Sequence, residues 1–194
     1  MSNNYFQFKQ FTIEQSGCAM KVGTDGCLLG GWFDVSCSKR ILDIGCGSGL
    51  ISIMAAQRCD ADITGVEIDK AASEQARANV ANCPWSNRIS ILNTDILLYS
   101  PEQPFDTIVC NPPYFVNSLK CGTESRTLAR HSDTLDCTSF FKKAITLLAD
   151  GGRISIVIPC DILDEWKDAA AINGFANSRL TYIKTTPRKA PKRV

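Results

Sequence analysis

From residue 40 onward the chain alternates short apolar runs with longer stretches in which apolar positions recur at helical spacing. The runs at 40–44, 63–68, 88–92, 105–110 and 153–158 predict strands, and a sixth is predicted at 179–185. Between them, 50–58 and 70–82 predict helices, the second stopped by Pro84. A further helix, capped by Asp136 or Thr138, runs through Phe140, Phe141, Ala144, Ile145, Leu147 and Leu148 to Gly151 and Gly152. The last covers 161–172, with Gly174 at its end. Ahead of this rhythm Phe6, Phe8, Phe11 and Ile13 nearly alternate, which predicts a hairpin strand with 18–22 as its partner. The break at 23–26 lets Thr24 or Asp25 cap a short helix over 27–32. Repeated strand–helix–strand units build an α/β fold, a mostly parallel sheet with helices on both faces. One structural domain is expected, with an N-terminal segment, 1–35, and a core, 36–194.

At 194 residues and 44% hydrophobic content, the chain can bury one core. A net charge of +1 does not mark a nucleic-acid binder, so only local clusters of charge can do so. No apolar run approaches the roughly 18 residues of a membrane span, and the N-terminus lacks the order of a signal peptide. A soluble, cytoplasmic protein is therefore expected. Ten cysteines stand singly, with no Cys-x-x-Cys pair and one histidine, His131. Zinc-site spacing is absent, which predicts reduced, mostly buried thiols and no metal.

The run at 105–110 is followed by Asn111, Pro112, Pro113 and Tyr114. Prolines cannot continue a ladder, so a polar amide is left at a strand's carboxyl end, where open α/β sheets bind ligands. Asn111 and the Pro112 carbonyl could accept both hydrogens of a planar NH2 group while Tyr114 stacks on the attached ring. The nitrogen lone pair is then left facing an electrophile. A rigid Pro-Pro turn, with Tyr114 in the core, is the competing reading.

A second candidate is Asp43-Ile44-Gly45-Cys46-Gly47-Ser48-Gly49, between a predicted strand and helix. The dinucleotide pattern Gly-x-Gly-x-x-Gly fails, because its last position is Leu50. The Asp43 carboxylate would repel a pyrophosphate but suits a ligand with a cationic amino group and a sulfonium, such as S-adenosylmethionine. Glu67, ending the next strand, is placed to accept both ribose hydroxyls, with Ile68 beside it and Asp69 as a substitute. Asp95, ending the third strand, is placed for the adenine amino group, with Ile96 beside the ring. Each acid alone also fits a solvated strand end or a helix cap. Three at successive strand ends, with the glycine turn, make a site.

In this order the motifs resemble the class I S-adenosylmethionine-dependent methyltransferases that modify amino nitrogens, and the resemblance covers nearly the whole chain. It implies a Rossmann-like sheet with a reversed final strand. The chain stops at Lys192-Arg193-Val194, where that strand is expected to begin, so it is expected to be truncated. The segments 8–15 and 20–30 resemble the bacterial tRNA1(Val) adenine-37 N6-methyltransferases. That resemblance implies tRNA as partner, the adenine next to the anticodon as target, and an N-terminal segment folded over the cofactor, with Thr24 and Asp25 at its methionine end. It continues in Ala129-Arg130-His131 and in the basic close Lys189-Ala190-Pro191-Lys192-Arg193. Substrate contacts are thus expected from Tyr114, Arg126, Arg130, His131, Lys189, Lys192 and Arg193, against a solvated loop and a charged tail as the plain alternatives. The stretch 116–135 reads as a long loop and a possible lid. Asn-Pro-Pro-Tyr fixes the atom type and not the substrate, so protein glutamine, rRNA guanine N2 and DNA adenine N6 remain alternatives. From other classes come an NAD-dependent oxidoreductase, disfavoured by the missing glycine, and an RNA-binding module without catalysis.

Overall fold

The computed structural model describes residues 3–112 and 136–194. Pro113, Tyr114, Arg126, Arg130, His131 and the predicted lid lie outside them. By their contacts the residues fall into two compact units, Met1–Asn111 with Thr146–Val157, and Pro112–Ile145 with Ile158–Val194.

The first unit is built on a five-stranded parallel sheet. Its strands are β3 (Arg40–Ile44), β4 (Asp62–Glu67), β5 (Ile89–Asn93), β6 (Phe105–Cys110) and β7 (Leu148–Ile156), in the order β5-β4-β3-β6-β7. Ile41, Leu42, Ile63, Ile108 and Val109 are almost wholly buried, as expected of strands covered on both faces. Helices α2 (Leu50–Arg58) and α3 (Lys70–Ala81) make the connections between β3, β4 and β5. The chain therefore runs outward from β3 in one direction and resumes on its other side with β6. This reversal sets the carboxyl ends of β3 and β6 side by side, with Asp43 opposite Val109 and Ile44 opposite Cys110. In open α/β sheets that crevice is where ligands bind.

The N-terminal hairpin differs from expectation. It closes within itself, β1 (Tyr5–Gln7) against β2 (Thr12–Glu14), and residues 18–22 form no strand. The cause lies in the turn: Phe8 N–H donates to the Phe11 carbonyl at 2.9 Å and the two rings stack at 4.5 Å. Residues beyond are held by side chains, as where Val22 N–H donates to the buried Gln15 Oε1 at 2.8 Å. Helix α1 (Thr24–Trp32) starts earlier than predicted. Extended Gly23 is its N-cap, without a side-chain cap bond, so Thr24 and Asp25 lie in the first turn and neither is the cap. Gly30 packs on α2 so closely that a Cβ would lie 2.6 Å from the Met54 sulfur. Arg58, ending α2, donates to the Gly30 and Phe33 carbonyls at 2.8 and 2.7 Å and so satisfies the end of α1.

Helix α4 (Cys137–Leu147) is capped by Asp136, whose carboxylate accepts from Ser139 N–H at 3.0 Å. It ends before Gly151 and Gly152. Those glycines fall inside β7, where Gly151 has φ +70° and the register with β6 shifts between Phe105 and Thr107. They make a bulge, not a helix end.

In the second unit, α5 (Leu163–Ile172) contributes Trp166, which packs within 5.8 Å of the rings of Phe140 and Phe141. The predicted strand at 179–185 is reduced to one bridge, Ile183 with Arg193. Residues 192–194 run antiparallel to 158–160: Ile158 and Val194 exchange backbone hydrogen bonds of 2.8 and 2.9 Å, and Pro159 bridges Arg193. Where the reversed strand is expected, the described residues form these isolated bridges and no ladder. With so few ladder partners, the β-prone residues at 179–185 have nothing to extend against. Among the described residues, no helix is long and apolar enough to cross a membrane.

Candidate active site

The glycine turn hangs from the neighbouring strand. Gly45 and Cys46 N–H both donate to the Val66 carbonyl, at 2.8 and 3.1 Å, and Gly49 N–H closes on Cys46 O at 2.8 Å. Gly45, Gly47 and Gly49 have φ of +68°, +54° and +80°, a region costly for residues with a Cβ. A Cβ at Gly45 or Gly47 would meet no heavy atom within 4 Å, so the turn presents open space on that side. In β4, Gly65 makes room for Cys46, whose sulfur would lie 2.9 Å from a Cβ there.

Two predicted acids bracket this turn. Asp43 is buried to 1% exposure. Its Oδ2 accepts from Ser52 Oγ at 2.6 Å, and its Oδ1 has no partner. Burial pushes its carboxyl up to about 7, the Glu67 charge adds to the rise, and the hydrogen bonds from Ser52 oppose it. Glu67 is half-exposed and doubly held: Oε2 accepts from Gly47 N–H at 2.8 Å and Oε1 from Asp69 N–H at 2.9 Å. Asp69 is itself the N-cap of α3, accepting from Ala72 N–H at 2.7 Å, which commits it to the helix.

Asp95 lies two residues past β5 and accepts from Leu97 N–H at 2.9 Å, so it closes a turn at this strand end. Ile96 is buried beside it, whereas Ile68 is 69% exposed, an apolar side chain left open to solvent next to Glu67. Asn111 leaves the sheet directly after β6. Its Nδ2 would lie 3.7 Å from a Cβ at Gly26, which places the amide against the first turns of α1, the helix that starts with Thr24 and Asp25. Asp43, the three glycines, Glu67 and Asn111 are thus brought to the carboxyl end of one sheet, with α1 alongside. Pro112 begins the second unit, which also holds the basic close that carries Lys189, Lys192 and Arg193. There the backbone N–H of Lys192 is engaged, donating to Ile183 O at 3.0 Å, while the Lys189 and Lys192 side chains are exposed.

Three residues around the site escaped the motif reading. Ser52 holds Asp43. Asn79, 2% exposed on α3, accepts from Glu14 N–H at 2.9 Å and donates to the carbonyls of Glu14 and Ser48 at 2.8 and 2.9 Å. It ties the glycine turn to the hairpin. Asn93 donates to the Glu67 and Ile68 carbonyls at 2.9 and 3.0 Å and fixes the backbone that carries the second acid. For Ser52 and Asn79 the available signal was a polar residue inside an apolar or alanine-rich helical face. Among the described residues, no group of histidine, cysteine, aspartate and glutamate could hold a metal ion, and the nine cysteines there are free.

A reversed-order parallel sheet, with an acid-glycine turn and a second acid at adjacent strand ends, defines a Rossmann-like methyltransferase. Residues 18–163 match the family described as Methyltransferase small domain. Solved structures share the fold: a predicted O-methyltransferase from Agrobacterium tumefaciens has a TM-score of 0.64 at 23% identity, over 88% of this chain and 77% of its own. Closer in sequence is the tRNA1(Val) (adenine(37)-N6)-methyltransferase of Phocaeicola vulgatus, 51% identical over all of this chain and 83% of its own length. Proteins of the same name from Bacteroides fragilis and Trichodesmium erythraeum are 47% and 43% identical, again over all of this chain and 83% of theirs. The chain belongs to the tRNA1(Val) (adenine(37)-N6)-methyltransferase family.

Proposed function

We infer that the protein methylates N6 of adenine 37 in tRNA1(Val), in the cytoplasm, with S-adenosylmethionine as methyl donor. The observation that carries this reading is the placement of Asn111 at the end of β6, beside the strand end that carries Asp43 and the glycine turn. The residues present fit the donor. Asp43 Oδ1 lacks a partner for a cationic amino group, Gly45 and Gly47 leave space where a Cβ would stand, and Glu67 offers its carboxylate to ribose hydroxyls. Asp95, Ile68 and Ile96 are assigned to the adenine end of the donor, and Thr24 and Asp25 to its methionine end, under the cover of segment 1–35. When bound, S-adenosylmethionine supplies a methyl group made electrophilic by its sulfonium.

The protein's part is positioning. Asn111 and the carbonyl of its chain neighbour Pro112 accept the two N6 hydrogens, which favours a more tetrahedral nitrogen and turns its lone pair outward. Pro113 and Tyr114, outside the described residues, are assigned to the same motif, Tyr114 as the ring that receives the flipped base. No general base is needed for attack, because the product nitrogen gives its proton to solvent once the bond is made. Lys189, Lys192 and Arg193, with Arg126, Arg130 and His131, are assigned to the RNA backbone, and their effect should weaken with salt.

The test is transfer of labelled methyl groups to tRNA1(Val) lacking the modification, followed by separation of nucleosides. Label in N6-methyladenosine is expected, with loss of roughly 100-fold or more in turnover for Asn111→Ala at nearly unchanged donor affinity. Label in another nucleoside, or near wild-type turnover of that variant, would reject the assignment.

A further inference from the structure

Among the described residues only two buried side-chain polar atoms lack a hydrogen-bond partner, Arg40 Nε and Asp43 Oδ1. A buried, unpaired carboxylate oxygen is costly, and the cost ends when a cation or a proton reaches it. Which oxygen is left open is set by Ser52. This side chain has 0% exposure, sits in the first turn of α2 in the run Leu50-Ile51-Ser52-Ile53, and reaches back to the end of β3 with its hydroxyl 2.6 Å from Asp43 Oδ2. We propose that Ser52 is a positioning residue: by engaging Oδ2 it fixes the rotation of the Asp43 carboxylate and keeps Oδ1 as the acceptor for the cationic amino group of the methyl donor. The proposal rests on the donor assignment above.

Among the described residues, the groups facing Asp43 supply no cation. Glu67 stands at the end of β4, the Cys46 thiol in the glycine turn and the Cys110 thiol at the end of β6; burial pushes both thiols up, and the Asp43 charge pushes them further. With the carboxyl at about 7, a donor that needs the ionised form binds more weakly as pH falls through that value, and the Ser52 hydrogen bond opposes this rise.

The experiment is a calorimetric titration of S-adenosylhomocysteine, which carries the same amino end, into wild type, Ser52→Ala, Ser52→Thr and Asp43→Asn at a series of pH values from about 5.5 to about 8.5, bracketing the Asp43 transition. Titration of the ligand's own amine is common to all four and cancels in the ratios. Removing the hydroxyl should move the pH midpoint of binding up by about one unit. The wild-type advantage over Ser52→Ala should then exceed roughly tenfold below the wild-type midpoint and persist at about threefold or more at the alkaline end, where Asp43 is ionised in both proteins and only the lost hold on its rotation remains. Ser52→Thr should keep the wild-type midpoint, and Asp43→Asn should lose the pH dependence. A Ser52→Ala affinity equal to wild type at the alkaline end, or no loss at any pH, overturns the proposal and leaves the donor site standing. A wild-type protein that binds no S-adenosylhomocysteine at any pH overturns the donor assignment and the proposal together.

Discussion

Asp43 and Glu67 end neighbouring parallel strands, yet their surroundings are opposite. Asp43 is sealed in, held by Ser52 with one oxygen left over; Glu67 is half-exposed, and each of its oxygens accepts a backbone N–H. The first acid is held at a cost to stability, and the second is held by the fold. A site built this way separates two tasks: one carboxylate waits for a cation, and the other is a pre-set acceptor for hydroxyls.

The largest effect should come from removing the strained charge. The Asp43 carboxyl stands at about 7 in the folded protein, above its ordinary value of 3.8, so its contribution to stability is full below 3.8 and is lost as pH rises through 7. Asp43→Asn should therefore stabilise the donor-free protein at pH values above that window, by up to about 4 kcal/mol, while weakening the donor at least about tenfold. Thermal or urea unfolding across pH checks this, and a variant less stable than wild type at the alkaline end would show that the buried charge is well paired. Asn79→Ala leaves the Glu14 backbone and the Ser48 carbonyl without their amide partner. It should cost about 2–3 kcal/mol by urea unfolding and loosen the turn that both acids share. A cost below about 0.5 kcal/mol would mean that water replaces the amide.

Glu67→Ala should cost about 1–3 kcal/mol in donor affinity by calorimetry and move the pH midpoint of binding down, because the Glu67 charge adds to the rise of the Asp43 carboxyl. Unchanged affinity would remove Glu67 from the ribose assignment. The smallest effect on folding should come from Gly47→Ala, about 1–2 kcal/mol for a left-handed residue, since its Cβ touches no protein atom. A donor affinity that falls no further than this would place the ligand away from that face of the turn.

The strand and helix that carry the glycine turn were legible to the residue, Arg40–Ile44 and Leu50–Arg58, because burial on both faces leaves continuous apolar runs. Asp43, Glu67 and Asn111 were legible because each stands where a run stops and a turn begins. Ser52, Asn79 and Asn93 were not, since each acts on a partner distant in sequence: Asp43, the pair Glu14 and Ser48, and the Glu67–Ile68 backbone. The stretch at 179–185 misled for a related reason, β-prone composition without a strand to pair with. Gly151 and Gly152 end helices as readily as they bulge strands, and only the register against β6 separates the two.

The most direct test of the account uses two transcripts of tRNA1(Val) that differ at one base, adenosine or guanosine at position 37, each incubated with the protein and labelled S-adenosylmethionine. The account predicts label on the adenosine transcript alone, recovered as N6-methyladenosine from position 37. Equal labelling of the guanosine transcript, or label recovered from any other position, would contradict it.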